Sequence, residues 1–351
     1  MNGERGMIRQ ADIAREAGVS QSTVSQVLRG AGDLSRISTE TQRRVLSAAK
    51  RLRYTTSPQQ RSAVEKRHAP PLLGVHTFEP IFPTSAGDYY FEFLQGIEEQ
   101  ASVESCNLVL FTAARDEAGV RRIYRGDVNG LGQAAGSLIL GHRAHQDDLA
   151  RLAADGHPFV YIGHREVPGF EISYVGGDYR SATGRIVDDL VALGHRTFAY
   201  LGEAVRYEPQ ADRWDGFATA LDRFGLTVPV PAYTQPEELS AQWLDSALAA
   251  GTTVVLVESV SLLRVLHAII GLRGLSVPED LSVVLLVDDT GGPGTWASMH
   301  VPRNAMGRRA VRLLTALLSD PAGDYERQIL LPCTHTLEPS VATPRSGRST
   351  R

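Results

Sequence analysis

Gln21, Ser22, Ser25 and Gln26 fall within six residues of this 351-residue chain. At about 100° per residue they share one side of a helix. Each is uncharged and both donates and accepts hydrogen bonds, the chemistry needed to read base edges in a DNA major groove. Val24, Val27 and Leu28 occupy the opposite side, an apolar stripe that requires a packing partner.

The partner stands just upstream. Ile13, Ala14 and Ala17 lie on one face of a preceding short helix, with Val19 in the turn between the two. Gly18 sits where a helix-turn-helix needs a residue free to take positive φ. Ser20 follows as an N-cap, its hydroxyl placed for the backbone N–H of Thr23. Residues 9–54 therefore read as two short helices, a polar loop and a third helix, an all-α head able to enter duplex DNA. Charge agrees. Residues 1–67 carry 13 Arg and Lys against 6 Asp and Glu, net +7, while the rest carries 23 against 34, net −11, for a whole of −4. A basic head on an acidic body is the distribution expected when one segment meets phosphates.

The run DIAREAGVSQSTVSQVL, followed by ISTETQRRVLSAAKRLRY, resembles the head of lactose-repressor-type (LacI/GalR family) transcription factors. The matching elements include Asp12-Ile13-Ala14, Ala17-Gly18-Val19-Ser20, Thr23-Val24-Ser25, Arg44-Val45 and Tyr54. The resemblance implies a repressor-like homodimer on a near-palindromic double-stranded operator. It implies base reading by Gln21, Ser22 and Gln26, and phosphate contacts from Ser20, Thr23 and Ser25. Three departures stand out. Arg9 replaces the usual capping hydroxyl, Arg29 replaces an Asn beside the DNA backbone, and the loop 30–37 is longer than usual. Met7 is a second candidate start, since residues 1–6 carry no part of the pattern.

Residues 55–71, TTSPQQRSAVEKRHAPP, read as a hinge or linker. In the resembled family this segment forms a short helix on DNA, and a Leu wedges into the minor groove. Arg61 matches the family's Arg, but Ala63 stands at the wedge, too small to part a base step. Either Val64 takes over, or the operator bends less, or the segment is a passive tether.

From residue 72 short apolar runs alternate with amphipathic helices. Strands are expected at 72–76, 108–112, 137–140, 159–163, 198–202, 253–257 and 282–287, and helices at 90–104, 147–154, 181–193, 212–224, 241–250 and 260–272. Their Val/Leu/Ile content suits parallel strands buried on both faces. The alternation gives an α/β body of two doubly wound parallel-sheet lobes. DYRSATGRIVDDLVALGHRTFAYLGE, RWDGFATALDRFGL and SVPEDLSVVLLVDD resemble the same family's effector-binding body, of periplasmic-binding-protein-like fold. The expected organisation is a head at 1–54, a hinge at 55–71, an effector-binding and dimerising body at 72–339, and a disordered tail at 340–351.

Ligands of open parallel sheets sit beyond the carboxyl ends of the strands. Asp178, Arg213, Asp288 and Asp289 fall at such places, with types suited to hydroxyls or a carboxylate. The resemblance implies effector contacts from Arg213 and Asp288; a salt bridge for Arg213, and an N-cap for Asp178, are the plain alternatives. Glu258-Ser259 replaces the family's Asn-Asp, which puts Glu258 in the pocket and argues against a standard sugar site. Phe82, Tyr89, Tyr90 and Phe91 cluster at the first-lobe entry, where aromatic rings either stack on a flat ligand or join the core. The effector is then a sugar, a nucleoside-like compound, or nothing.

Other chemistry is weaker. GLGQAA at 130–135 satisfies a dinucleotide expression but precedes its strand instead of following it. His142 and His145 lack a third metal ligand nearby, and Cys106 and Cys333 are far apart in sequence, so no cofactor or metal is expected. No catalytic constellation converges, no apolar run approaches the ~20 residues of a membrane span, and no signal segment precedes the head. The reading is a cytoplasmic regulator under small-molecule control. A cytosolic enzyme, or a sugar-binding protein, with an accessory nucleic-acid-tethering head is the alternative.

Overall fold

The computed structural model describes residues 9–29, 37–52, 70–79, 90–112, 121–141, 145–289 and 295–345. The chain divides into two compact units, Met1–Pro70 and Pro71–Arg351.

In the first unit, helices α1 (Gln10–Ala17), α2 (Gln21–Arg29) and α3 (Thr39–Arg51) enclose a small core of Ile13, Ala14, Ala17, Val24, Val45, Ala48 and Ala49. Gly18 takes φ +62° and ends α1 in the left-handed conformation. Arg9 gives α1 no side-chain cap; Asp12 accepts the Arg9 backbone N–H at 2.8 Å instead, which supplies half of a capping box. Ser38 caps α3 by accepting from the Thr41 N–H at 3.3 Å. The loop expected to be long lies, over residues 30–36, outside the described residues.

The second unit holds two six-stranded sheets. In chain order its elements are β1 (Leu72–Thr77), α4 (Phe91–Val103), β2 (Asn107–Phe111), β3 (Tyr124–Arg125), β4 (Val128–Asn129), β5 (Gly136–Leu140), α5 (Gln146–Ala154), β6 (Phe159–Ile162) and β7 (Tyr174–Asp178). There follow α6 (Tyr179–Ala192), β8 (Phe198–Glu203), α7 (Glu208–Arg223), β9 (Ala232–Thr234), α8 (Ala241–Ala249), β10 (Val254–Val257), α9 (Val260–Leu272), β11 (Ser282–Leu285), β12 (Ala297–His300), α10 (Arg303–Ser319), β13 (Gln328–Pro332) and β14 (Thr334–Thr336). The first lobe has strand order β13-β7-β6-β5-β1-β2, and the second β14-β12-β11-β10-β8-β9.

Both orders reverse direction once, between β1 and β5 in the first lobe and between β8 and β10 in the second. These are topological switch points, and in open α/β sheets the crevice beyond the strand ends at such a point is where ligands bind. The chain passes between lobes at β7–α6, β12–α10 and β13–β14. Near-continuous burial along β5, β6, β8, β10 and β11 follows from covering both sheet faces. Phe217 of α7 packs on Phe198 and Tyr200 of β8, which anchors α7 in the second lobe.

Three expectations need correction. The second sheet is not wholly parallel: β14 pairs antiparallel with β12. Cys333 alone joins it to β13, the edge strand of the first sheet. Residues 340–345 are not a disordered tail. The Ser340 hydroxyl donates to the Val283 carbonyl at 2.6 Å and accepts from the Ala297 N–H at 2.8 Å, and Ala342 bonds to Ser282 and His195. Residues 346–351 lie outside the described residues. Helix α7 begins at Glu208, four residues before the expected start, because Pro209 suits a first turn. Helix α10 and strands β3, β4, β7, β9, β12, β13 and β14 add to the expected set.

Candidate functional site

Helix α2 presents one polar face to solvent. Ser20 Oγ accepts the Thr23 N–H at 3.1 Å and stands 2.7 Å from both Ser22 Oγ and Thr23 Oγ1, so the hydroxyls form a linked cluster at the helix start. Gln21, Ser22 and Gln26 are exposed, Thr23 and Ser25 half-buried, and Val24 fully buried beneath them. Arg44 of α3 holds the turn that aims this face. Its Nη2 donates to the carbonyls of Ala17 at 2.6 Å and Gly18 at 3.2 Å, which satisfies carbonyls exposed at the end of α1. Arg29 closes the backbone of α2, while its side chain, and the whole of Arg61, Ala63 and Val64, lie outside the described residues.

In the body, a cavity of about 1160 Å³ opens between the lobes, lined among others by Phe91 and Glu92 of the first lobe and Glu203, Arg213, Glu258 and Asp288. Arg213 is buried, its Nε donating to the Leu286 carbonyl at 2.9 Å and its Nη1 to the Pro209 carbonyl at 3.1 Å. Those bonds fix the plane of the guanidinium over Tyr179, at 4.0 Å from the ring centre.

Glu258 is buried at the switch point of the second lobe and accepts from three donors. The Tyr200 hydroxyl reaches it at 2.6 Å, the Glu203 N–H at 2.9 Å, and Arg206 Nη1 completes the set. Burial first, then the Glu258 charge, pushes the Tyr200 hydroxyl well above its usual range, so it remains a donor. Burial opposes the charge on Arg206, but the hydrogen bond and the charge of Glu258 outweigh it, and the guanidinium's pKa rises. Asp288 accepts from the Val301 N–H at 3.2 Å and pairs with Arg303 Nη1, which also lies 3.5 Å from Glu92.

The family description "Bacterial regulatory proteins, lacI family" matches residues 11–57, and that of a "Periplasmic binding protein-like domain" matches residues 187–338. The "HTH-type transcriptional regulator MalR" of Streptomyces coelicolor is 31% identical over 352 residues, covering 92% of this chain and 94% of its own. The chain belongs to the LacI family. Solved structures of LacI-like fold agree. The lac repressor dimer bound to operator and the anti-inducer ONPF aligns over 95% of this chain and 99% of its own, with 23% identity and a TM-score of 0.62. A transcriptional regulator CelR–cellobiose complex aligns over 95% and 99%, with 23% identity and a TM-score of 0.58. As a LacI-family member the protein is a DNA-binding transcriptional regulator with a helix-turn-helix head and an effector-binding body.

Against that family frame the expected pocket residues separate. Phe91, Arg213, Glu258 and Asp288 are brought together around the cavity. Asp178 is not among its lining residues: its carboxylate accepts the Ser181 N–H at 3.0 Å and caps α6, the plainer of its two readings. Tyr90 is buried, its hydroxyl on Glu79 at 2.7 Å, and belongs to the core behind the large cavity. Tyr89 and Phe82 lie outside the described residues. Glu258 lines the cavity with both oxygens already engaged, so it shapes the wall through Arg206. Sequence reasoning missed Glu203 and Arg303. Glu203 ends β8, so the strand-end rule that selected Asp288 applies equally to it. Arg303 opens α10, a helix outside the expected set.

The remaining motifs sit in structural places. GLGQAA runs through the turn that enters β5, and His145 precedes the first turn of α5. Among the described residues no group of three His, Cys, Asp or Glu side chains is close enough to hold a metal ion, and no helix is long and apolar enough to cross a membrane.

Proposed function

We propose that the protein is a homodimeric repressor that reads a near-palindromic operator with Gln21, Ser22 and Gln26 and releases or grips it in response to a sugar-class effector. The carrying observation is the pairing, in one chain, of an exposed donor/acceptor face on α2 with a large interlobe cavity walled by Arg213, Asp288 and Phe91. Ser20, Thr23 and Ser25 are assigned to phosphates, together with Arg29 and Arg61, and Val64 to the minor-groove wedge. Phe91 supplies a ring face for a sugar, and Arg213 a donor held in place by its own carbonyl partners. Two carboxylates of the cavity wall are tied into ion pairs, Glu258 with Arg206 and Asp288 with Arg303, an arrangement suited to shaping a ligand site. Operator binding places the protein in the cytoplasm. Domain limits of 1–54 for the head and 55–71 for the hinge complete the proposal.

The test is selection of duplexes from a random library by the full-length protein, then titration of the selected duplex with a panel of mono- and disaccharides that includes cellobiose. The expected result is an enriched palindrome and at least one sugar that shifts its affinity about tenfold or more. Failure to enrich any sequence over competitor, at low and moderate salt, would overturn the reading of the head. An enriched duplex indifferent to every sugar would overturn the sugar class.

A further inference from the structure

Two adjacent side chains of the first lobe reach across the cleft to one helix of the second. His164 and Arg165 follow β6. His164 Nδ1 lies 2.6 Å from Asp212 Oδ2, and Arg165 Nη1 donates to Glu208 Oε2 at 2.8 Å. The Glu166 backbone N–H adds a third bond to Glu208 Oε1 at 3.1 Å. Glu208 and Asp212 are one helical turn apart on α7, so both present the same face to the loop. All four side chains are mostly shielded: Arg165 is 4% exposed, Asp212 13%, and His164 and Glu208 17% each. Shielding of this degree weakens screening, and it makes the loss of either partner costlier than at a surface pair. Arg165 is held from behind by the Tyr161 hydroxyl at 3.2 Å and lies over the rings of Tyr161 and Tyr207.

The same two turns of α7 also carry Pro209, Gln210 and Arg213, which line the cavity. A helix that meets ligand on one face and the opposite lobe on the other converts a small displacement in the cavity into a change across the cleft. We propose that His164 and Arg165, hooked onto Asp212 and Glu208, form a proton-gated latch that fixes the angle between the lobes and couples α7 in the cavity to the first lobe. Its role in regulation rests on the reading of the cavity as the effector site; the latch itself does not.

The gate is the imidazole. It faces Asp212 and Glu208 on α7, with Glu166 and Arg165 beside it in its own loop and the Tyr174 ring 5.2 Å away on β7. Arg180 of α6 stands 3.9 Å from the far oxygen of Asp212 and is drawn off by Asp215 at 2.7 Å. The hydrogen bond to Asp212 leads the causes that raise the His164 pKa above its ordinary 6.5, with burial opposing it. A proton is thus held more tightly in the latched arrangement. The latch is complete below about pH 6.5 and loosens as pH rises through the raised value. The Arg165–Glu208 hook, braced by the Tyr161 hydroxyl, is a separate contact and sets a floor.

Amide hydrogen exchange on the full-length protein, without DNA or sugar, reads the latch directly through the Glu166 N–H. With intrinsic rates divided out, protection at residues 164–166 is expected to fall about tenfold between pH 6 and pH 8.5, while Phe217 and Leu221 in the α7 core keep theirs. His164→Gln, a neutral donor that does not titrate, is expected to flatten that change. Arg165→Met is expected to lower protection at both pH values, and Arg213→Lys, at the cavity end of α7, to alter it about threefold. A wild-type pH profile in His164→Gln, or equal loss at Phe217 and Leu221, would overturn the gate. Unchanged protection in Arg165→Met would overturn the hook, and indifference to Arg213→Lys would overturn the coupling. Because no sugar enters the measurement, a cavity that proves to bind none leaves these outcomes readable.

Discussion

The guanidinium of Arg213 stands 4.0 Å above the ring centre of Tyr179 while its Nε is bonded to the Leu286 carbonyl. Three elements, α6, α7 and the end of β11, thereby converge on one planar group at the cavity wall. Lys at this position retains the charge but neither the fork nor the flat stacking surface. For Arg213→Lys we expect affinity for the selected duplex within about threefold of wild type and at least a tenfold weaker response to the active sugar. Titration of the sugar against the protein–duplex complex checks this, and an unaltered response would remove Arg213 from the pocket.

Arg44 performs a comparable service in the head, where it satisfies the carbonyls of Ala17 and Gly18 from a different helix. Arg44→Met removes those donors and leaves the carbonyls to solvent. A loss of about 1–2 kcal/mol in head stability is expected, with the body unchanged. Urea denaturation followed by exchange at the amides of α1 and α2 measures it; equal destabilisation of the body amides would contradict a local role.

His76 is buried on β1, and burial, aided by the nearby Arg121 charge, lowers its pKa from 6.5 to about 4. Between those values the unfolded chain binds a proton that the folded protein resists. The stability tied to the neutral imidazole is therefore complete above pH 6.5 and is lost as pH falls towards 4. From pH 7 to pH 5 the group accounts for a loss of about 2 kcal/mol. Unfolding of His76→Leu at both pH values tests this, since its stability is expected to fall less over that interval by about that amount. Parallel curves for the two proteins would sink the assignment.

The segment after Pro339 is integral to the second sheet. Ser340 and Ala342 supply partners to Val283, Ala297, Ser282 and His195, and Ser340 itself is buried. A chain ending at Pro339 leaves the buried Val283 and Ala297 N–H groups without acceptors, at about 1–3 kcal/mol each. Its melting temperature is expected to drop by several degrees, in line with a loss of that size in a domain of this length. A chain ending at Arg345 is expected to melt like the full-length protein. If both truncations melt alike, the packing of Ser340 contributes nothing.

The contrast between head and tail shows what local pattern conveys. The head's stripe, Ile13, Ala14, Ala17, Val24, Val45 and Ala48, follows helical spacing, and its turn and cap residues, Gly18 and Ser20, have types with one dominant use, so fold and reading face were legible together. Ser340 and Ala342 carry no such pattern, because their bonds go to strands some 43 to 60 positions away and composition alone suggests a free end. The cavity lies between these cases. Strand ends located Arg213 and Asp288, yet the same rule selected Asp178, where a local N–H acceptor role prevails. Glu258 was legible as a departure, but its engagement by Tyr200 and Arg206 depends on strand pairing that sequence does not display.

Gln21 and Gln26 stand exposed on α2 with Val24 fixing the helix from beneath, so truncating either amide changes what is presented and not how the helix is held. Gln21→Ala is expected to cost about 1–3 kcal/mol on the selected duplex and to relax preference at one position of each half-site. The loss should disappear on duplexes already mismatched there, whereas a phosphate contact would weaken all sequences alike and lessen the salt dependence. Binding of wild type and variant to a set of single-base duplex variants, at two salt concentrations, separates these outcomes. A uniform loss across the set would move Gln21 from reader to anchor and shift the base contacts to Ser22 and Gln26.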